Sequence, residues 1–452
     1  MRPSQADQAG GDLESIKELR HVIARTLLAP SESCENGRPR VIVQKVEQPI
    51  PVLDAIRGVA ILLVLLVHIG ENIPVPQSQV GRFLMELAQS AWVGVDLFFV
   101  LSGFLITGIL YDTRETSNFF RSFYARRFLR IFPLYYGYLF FLIALTRPLH
   151  IQWHGRQWLY LFYLQNTGLV RHVTSSPLSP YAIVGHLWSL AVEEQFYFLW
   201  PLVVFLVKDR SRLIQIAGSV ILGALLLRLA MLGAHMPHFF IYAFTLARAD
   251  SLMIGAVVAL LYRGGSTMQW RLKVFALWAF PVSVPILVWM WVAGFGLSWD
   301  SGRLESIGFT TIAAASAAIL ILSLTSPRFE GAANLPVLRW LGKYSYGIYV
   351  LHLPAVLCLM NSPLGAGFLR SHPGAIWGLI PSLAGETVGI GLAYLSFRFY
   401  ESRFLRLKRF FRYDFGDAGK TQGVEFCPRS SSGMDRTPAG PGDGVPVTAV
   451  CR

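Results

Sequence analysis

An arginine and a histidine eleven positions apart inside one apolar run are the first residues of this sequence that could do chemistry. Residues 53–69, LDAIRGVAILLVLLVHI, are long enough to cross a bilayer, yet they hold Asp54, Arg57 and His68. At about 100° per residue, eleven steps return to within about 20° of the same helix face, and the two basic groups stand roughly 16 Å apart along it. Charged and titratable groups are costly in hydrocarbon, so they face a protein interior or a wet cavity. One apolar rod therefore carries a cation near one membrane surface and an imidazole well inside, and an imidazole can take and return a proton near neutral pH.

Further polar groups recur inside apolar runs. In AWVGVDLFFVLSGFLITGIL, Asp96 shares a helix face with Phe99, Gly103 and Thr107, so a carboxylate sits beside small residues that permit close packing. In FYARRFLRIFPLYY, Arg127 and Arg130 fall one turn apart at a membrane boundary. Paired guanidinium forks suit phosphate, and basic residues also anchor topology at such a boundary. HLWSLAVEEQFYFLWP spaces His186, Ser189, Glu193 and Tyr197 along one face, with Glu194 about 100° aside. Arg248 and Asp250, two positions apart in RADSLMIG, point in nearly opposite directions and cannot neutralise each other, so each needs its own partner. Ser345, Tyr349 and His352 align in LGKYSYGIYVLHLP.

The elements that must position these groups are membrane spans. Of 452 residues, 53% are hydrophobic and only 15% charged, against about 25% charged in a soluble domain. The fold class expected is an all-α polytopic membrane protein, a bundle of about ten transmembrane helices around a polar central pocket. Taking about 20 apolar residues per crossing, the spans fall near 52–70, 91–111, 130–147, 187–207, 213–233, 240–261, 272–294, 304–324, 344–361 and 376–397. Loops on one side, with the flank after the last span, carry twenty Lys and Arg; the opposite loops carry six. That asymmetry places both termini in the cytoplasm, in an inner (plasma) membrane. The net charge of +13 thus reports topology rather than nucleic-acid binding. Four scattered cysteines suggest neither a metal site nor a disulfide framework. Residues 1–50 and 409–452 read as cytoplasmic tails flanking the membrane domain at 51–408; 13–28 form one amphipathic segment within the first tail. The first span starts too late for a cleaved signal peptide and is expected to remain as an anchor.

These stretches, in order from Leu53 to Pro354, resemble the membrane-bound acyltransferase-3 family, multi-span enzymes that acylate carbohydrates and other extracytoplasmic acceptors. Arg57 with His68 resembles the family's basic-x10-His signature, and Arg127 with Arg130 its R-x-x-R signature; the likeness covers about residues 50–408. One departure is Glu401-Ser402-Arg403, where many members read Glu-x-Pro. No hydrolase-like domain follows the spans, which implies the stand-alone form. The resemblance implies transfer of an acyl group, acetyl by default, from cytoplasmic acyl-CoA to a hydroxyl of a glycan, glycolipid or small-molecule acceptor, without a metal. It implies that Arg57, Arg127 and Arg130 hold the CoA phosphates. His68 is then expected as general base or as an acylated nucleophile, oriented by a carboxylate, Asp96 first and Glu193 second. His186, Glu194, Arg248, Asp250, Tyr349 and His352 are expected to complete a polar pocket. The rival class is a proton-coupled transporter of a sugar or lipid-linked substrate; a third is a degenerate binding protein. The loop 148–186, with His150, His154 and His172, is the expected seat of acceptor choice.

Overall fold

The computed structural model describes residues 50–415 apart from 72, 148–152, 154–156, 168–182, 295, 327–334 and 373. Both tails beyond these limits, the 13–28 segment and the three histidines of the 148–186 loop lie outside the described residues. Backbone amides in hydrocarbon must be satisfied within their own segment, so the apolar runs form helices. Ten principal ones follow in chain order: α1 (Pro51–Glu71), α2 (Gly94–Thr113), α3 (Phe119–Ala144), α4 (Trp188–Val207), α5 (Arg210–Gly233), α6 (Thr245–Tyr262), α7 (Ser266–Gly294), α8 (Phe309–Thr325), α9 (Pro336–Met360) and α10 (Ala375–Ser396). Among the described residues nine are long and apolar enough to cross a membrane, and ten if α9 and Pro363–Ser371, bent by 61°, form one broken span. The chain is an all-α polytopic membrane protein.

Local chemistry sets the ends. The Asp209 carboxylate accepts from Arg212 N at 2.8 Å and opens α5, and Pro336 starts α9 at a position where its missing N–H costs nothing. An amphipathic helix, Gln79–Gln89, and a tight turn, Ser90–Val93, lead directly into α2, which places Asp96 in its first turn.

Helix α9 packs along both α1 and α10, while α6 packs along α2 and α5. Two reciprocal glycine crossings hold these pairs at backbone contact. A Cβ on Gly342 would lie 1.8 Å from the Asp54 carbonyl oxygen and one on Gly58 2.1 Å from that of Leu338; Gly103 and Gly255 face Leu252 and Val100 at 1.9 and 2.0 Å in the same way. Such approach of small residues is what drives helix association in lipid, where tails are as apolar as leucine. Gly342→Val is therefore expected to lower stability by about 3 kcal/mol, read as thermal unfolding of the detergent-purified protein. Gly218→Ala, whose Cβ meets nothing within 4 Å, should be neutral or raise stability by up to about 1 kcal/mol.

Three boundaries differ from expectation. Helix α3 begins eleven residues before the apolar run at 130–147, because the basic and aromatic turn that precedes the run continues the same helix. Helix α9 begins at Pro336 rather than 344. The chain after 408 also does not leave the bundle at once. Asn118 Nδ2 donates to the Arg412 carbonyl at 2.8 Å, and Asp414 N donates to Asn118 Oδ1 at 3.0 Å, so residues 411–414 clasp the start of α3.

Candidate active site

Helices α1, α2, α3, α4 and α9 line a partly open cavity whose empty space, its mouth included, is about 710 Å³. At one end stand Arg57, Arg127 and Arg130, near the start of α1 and in the first half of α3. Arg57 is held by Asp54 at 2.8 Å, one turn before it. Arg127 lies 4.8 Å over the Tyr197 ring. Neither Arg127 nor Arg130 has an ion pair among the described residues. Along the wall, Glu193 Oε1 accepts from Ser102 Oγ at 2.6 Å and its Oε2 from Tyr197 Oη at 3.1 Å. The carboxylate is thus fixed by two hydroxyls.

The other end of the cavity reaches Ser189 and Tyr349. Tyr349 Oη lies 2.5 Å from Ser189 Oγ and 2.5 Å from the His186 carbonyl, to which it donates. Three imidazoles adjoin this end. The His352 and His68 rings meet edge to face with centroids 4.9 Å apart, and the His186 ring lies 5.5 Å from both His352 and Tyr349.

Hydrogen bonding assigns their protons. His68 Nδ1 lies 2.8 Å from the Val64 carbonyl, which only accepts, so the proton sits on Nδ1 and the basic lone pair on Nε2. His352 Nδ1 faces the Ile348 and Tyr349 carbonyls at 2.9 Å, so its Nε2 is the acceptor, 3.3 Å from His68 Nδ1. A backbone carbonyl and a second imidazole therefore orient His68. Both nitrogens of the buried His186 ring have no hydrogen-bond partner among the described residues.

Neither expected carboxylate takes the place of orienter. Asp96, fully buried, accepts from Arg248 Nη2 at 2.7 Å on both oxygens and from Ser251 Oγ at 2.7 Å. Glu193 holds the two hydroxyls described above. Arg248 and Asp250 were expected in the pocket, yet they do not line it. Each has found its own partner, as their opposed directions require. Asp250 pairs with Arg228 at 2.9 Å and accepts from Thr310 Oγ1 at 2.6 Å, and the Arg248 guanidinium lies 4.0 Å over the Phe309 ring. Two buried ion pairs thereby tie α2, α5, α6 and α8 together. Glu194 does not line the cavity either, and its buried Oε1 has no partner among the described residues.

Sequence reasoning missed Arg228 and Ser102. The argument that flagged Arg248, a charge inside an apolar span, applies equally to Arg228 in LLLRLAML. Ser102 gave no signal, since a lone serine in a span needs no partner.

Residues 50–394 match the acyltransferase domain family Acyl_transf_3. The chain is 30% identical to YrhL of Bacillus subtilis (strain 168) over 336 residues, covering 68% of this chain and 49% of that protein. It is 28% identical to the peptidoglycan O-acetyltransferase OatA of Listeria monocytogenes over 377 residues (78% and 55%). It is 26% identical to the O-acetyltransferase OatA of Staphylococcus aureus (strain MRSA252) over 394 residues (82% and 60%). The chain spans about half the length of these curated relatives. No solved structure matches it. The matched stretch takes in every residue that lines the cavity and all three imidazoles at its end, and on that ground the chain belongs to the acyltransferase-3 family.

Proposed function

We propose that the protein is an O-acyltransferase of the cell's inner (plasma) membrane. It moves an acyl group, acetyl first among candidates, from cytoplasmic acyl-CoA to a hydroxyl of a glycan acceptor on the outer side, with both termini cytoplasmic. The observation that carries this reading is a cavity with two guanidinium groups at one end that have no ion pair among the described residues, and a carbonyl-fixed imidazole adjoining the other. An anion with several phosphates satisfies the first, and a hydroxyl that must lose a proton satisfies the second. The excess of basic residues in the loops at the arginine end supports a cytoplasmic position for that end.

The chemistry follows from the proton positions. His68 Nε2 takes the proton of the acceptor hydroxyl as its oxygen attacks the thioester carbonyl. The C–O bond forms, the C–S bond breaks, and the proton passes from Nε2 to the leaving thiolate. While His68 is doubly protonated, its Nδ1–H is stabilised by the Val64 carbonyl and by His352 Nε2. Two neutral acceptors thus do what a carboxylate does in other base-plus-orienter pairs. The names of the OatA relatives make peptidoglycan fragments the first acceptors to try.

The test is incubation of the full chain in sealed vesicles with acetyl-labelled acetyl-CoA and peptidoglycan fragments. Label on the glycan with equimolar CoA release is expected. Passage of the acceptor across a membrane without CoA release would instead select a transporter.

A further inference from the structure

Helix α10 does not stop at Ser396. With the turns Phe397–Glu401, Ser402–Arg406 and Leu407–Phe410 it forms one run of 35 residues, Ile376–Phe410, about 50 Å at about 1.5 Å per residue. Hydrocarbon is about 30 Å thick, so the run overshoots it. Ile376, Ile380, Leu383, Leu392, Leu395 and Phe399 make an exposed apolar strip along the run, and the distance from Ile376 to Phe399 is about 35 Å. That strip accounts for the contact with lipid chains. The exposed basic side chains that follow it are Arg403, Arg406 and Arg409. These cations start where the hydrocarbon ends. Arg398, just inside that limit, donates to Tyr394 Oη at 3.3 Å, and the Arg409 guanidinium lies 4.8 Å over the Phe410 ring. Arg403 and Arg406 have no ion pair among the described residues.

Positive charge beside a span needs no ligand to explain it, since a count of basic residues sets topology. Topology does not require this arrangement. No carboxylate stands three or four positions from Arg403 or Arg406, whereas each has the other at that spacing and Arg406 also has Arg409, so like charges repel along the helix. On either side of them Phe399 is 59% and Phe410 64% exposed. Aromatic rings left in water are costly, and rings interleaved with basic side chains at the edge of the hydrocarbon are the composition that meets anionic headgroups. We propose that Arg403 and Arg406, bracketed by Phe399 and Phe410, bind an anionic phospholipid, its phosphate between the two guanidinium forks and its chains along the apolar strip of α10. Guanidinium groups meet phosphate oxygens in charge-assisted hydrogen bonds, and the lipid supplies the negative charge that the helix lacks. The site is separate from the cavity, whose lining includes neither arginine. Its assignment to the cytoplasmic leaflet rests on the topology proposed above; the site itself does not.

The test titrates the full chain in detergent with a fluorescent short-chain phosphatidylglycerol, and melts it in phosphatidylcholine nanodiscs with and without phosphatidylglycerol. Arg403→Gln with Arg406→Gln is expected to weaken phosphatidylglycerol binding about thirtyfold, and Arg403→Lys with Arg406→Lys to recover most of it. Phosphatidylglycerol should raise the thermal midpoint of the native protein, and the Gln pair should lose that rise while matching the native midpoint in phosphatidylcholine alone. Arg271→Gln with Lys273→Gln, which removes two charges near the start of α7, should leave both readouts unchanged. An equal loss of binding in that control would reduce the attraction to net charge and overturn the site. So would equal binding of phosphatidylcholine, no rise in the native midpoint, or a Gln pair already destabilised in phosphatidylcholine. Displacement of the lipid by free CoA would assign the two cations to a soluble phosphate and overturn it too. No readout here needs turnover, so failure of the lipid site and failure of the acyl-transfer reading are told apart.

Discussion

His68→Ala is expected to reduce acyl transfer by about 10³-fold or more, the loss of a positioned general base, while the protein still inserts and unfolds at nearly the native temperature. The side chain is partly exposed at the C-terminal end of α1, away from the Gly58 and Gly342 crossing, so its removal leaves the bundle's crossings intact. His68→Gln separates two roles. Glutamine can still donate to the Val64 carbonyl but cannot accept and release a proton at the acceptor, so it should be as inactive as alanine. Near-native turnover in either variant, measured as CoA release with saturating glycan, would remove His68 from the chemistry.

The second large effect concerns the donor end. Arg127→Gln with Arg130→Gln should raise KM for acetyl-CoA by about 100-fold or more, since two charge-assisted contacts are lost. The change in kcat should be small, because neither group reaches the reacting atoms. Both guanidinium groups line the cavity and neither forms an ion pair among the described residues, so the double variant should fold. If the arginines were only topological anchors, the variant would instead lose correct insertion and keep its KM, which surface labelling of cysteines introduced into the loops against donor titration tells apart.

Much of the bundle was legible in the sequence because hydrocarbon leaves the backbone few options. Apolar length gave the ten spans, and charge inside a span announced that Asp96, Arg248 and Asp250 needed partners. What it could not give was which partner. Asp96 was expected on His68, yet the bidentate contact with Arg248 is made through the α2 and α6 crossing at Gly103 and Gly255. His352 reaches His68 across 284 positions, a contact created where Gly58 and Gly342 let α1 and α9 touch; no local spacing encodes that. The arginine pair was readable as a motif, but that neither member forms an ion pair among the described residues, which favours a binding site over an anchor, appears only in three dimensions. The clasp at 411–414 was hidden by the glycine- and serine-rich composition that follows it, although Phe411 and Tyr413 at the head of that stretch were apolar enough to dock.

The central claim is that one passage joins a donor held at the basic end of the bundle to an acceptor met at the other. Reconstitution into sealed, uniformly oriented vesicles tests it most directly, with labelled acetyl-CoA supplied only on the side where α3 begins and glycan fragments only on the other. The account predicts labelled glycan in the acceptor compartment and free CoA in the donor compartment, both lost with His68→Ala. Acetylated glycan that forms only when donor and acceptor share one side would contradict it.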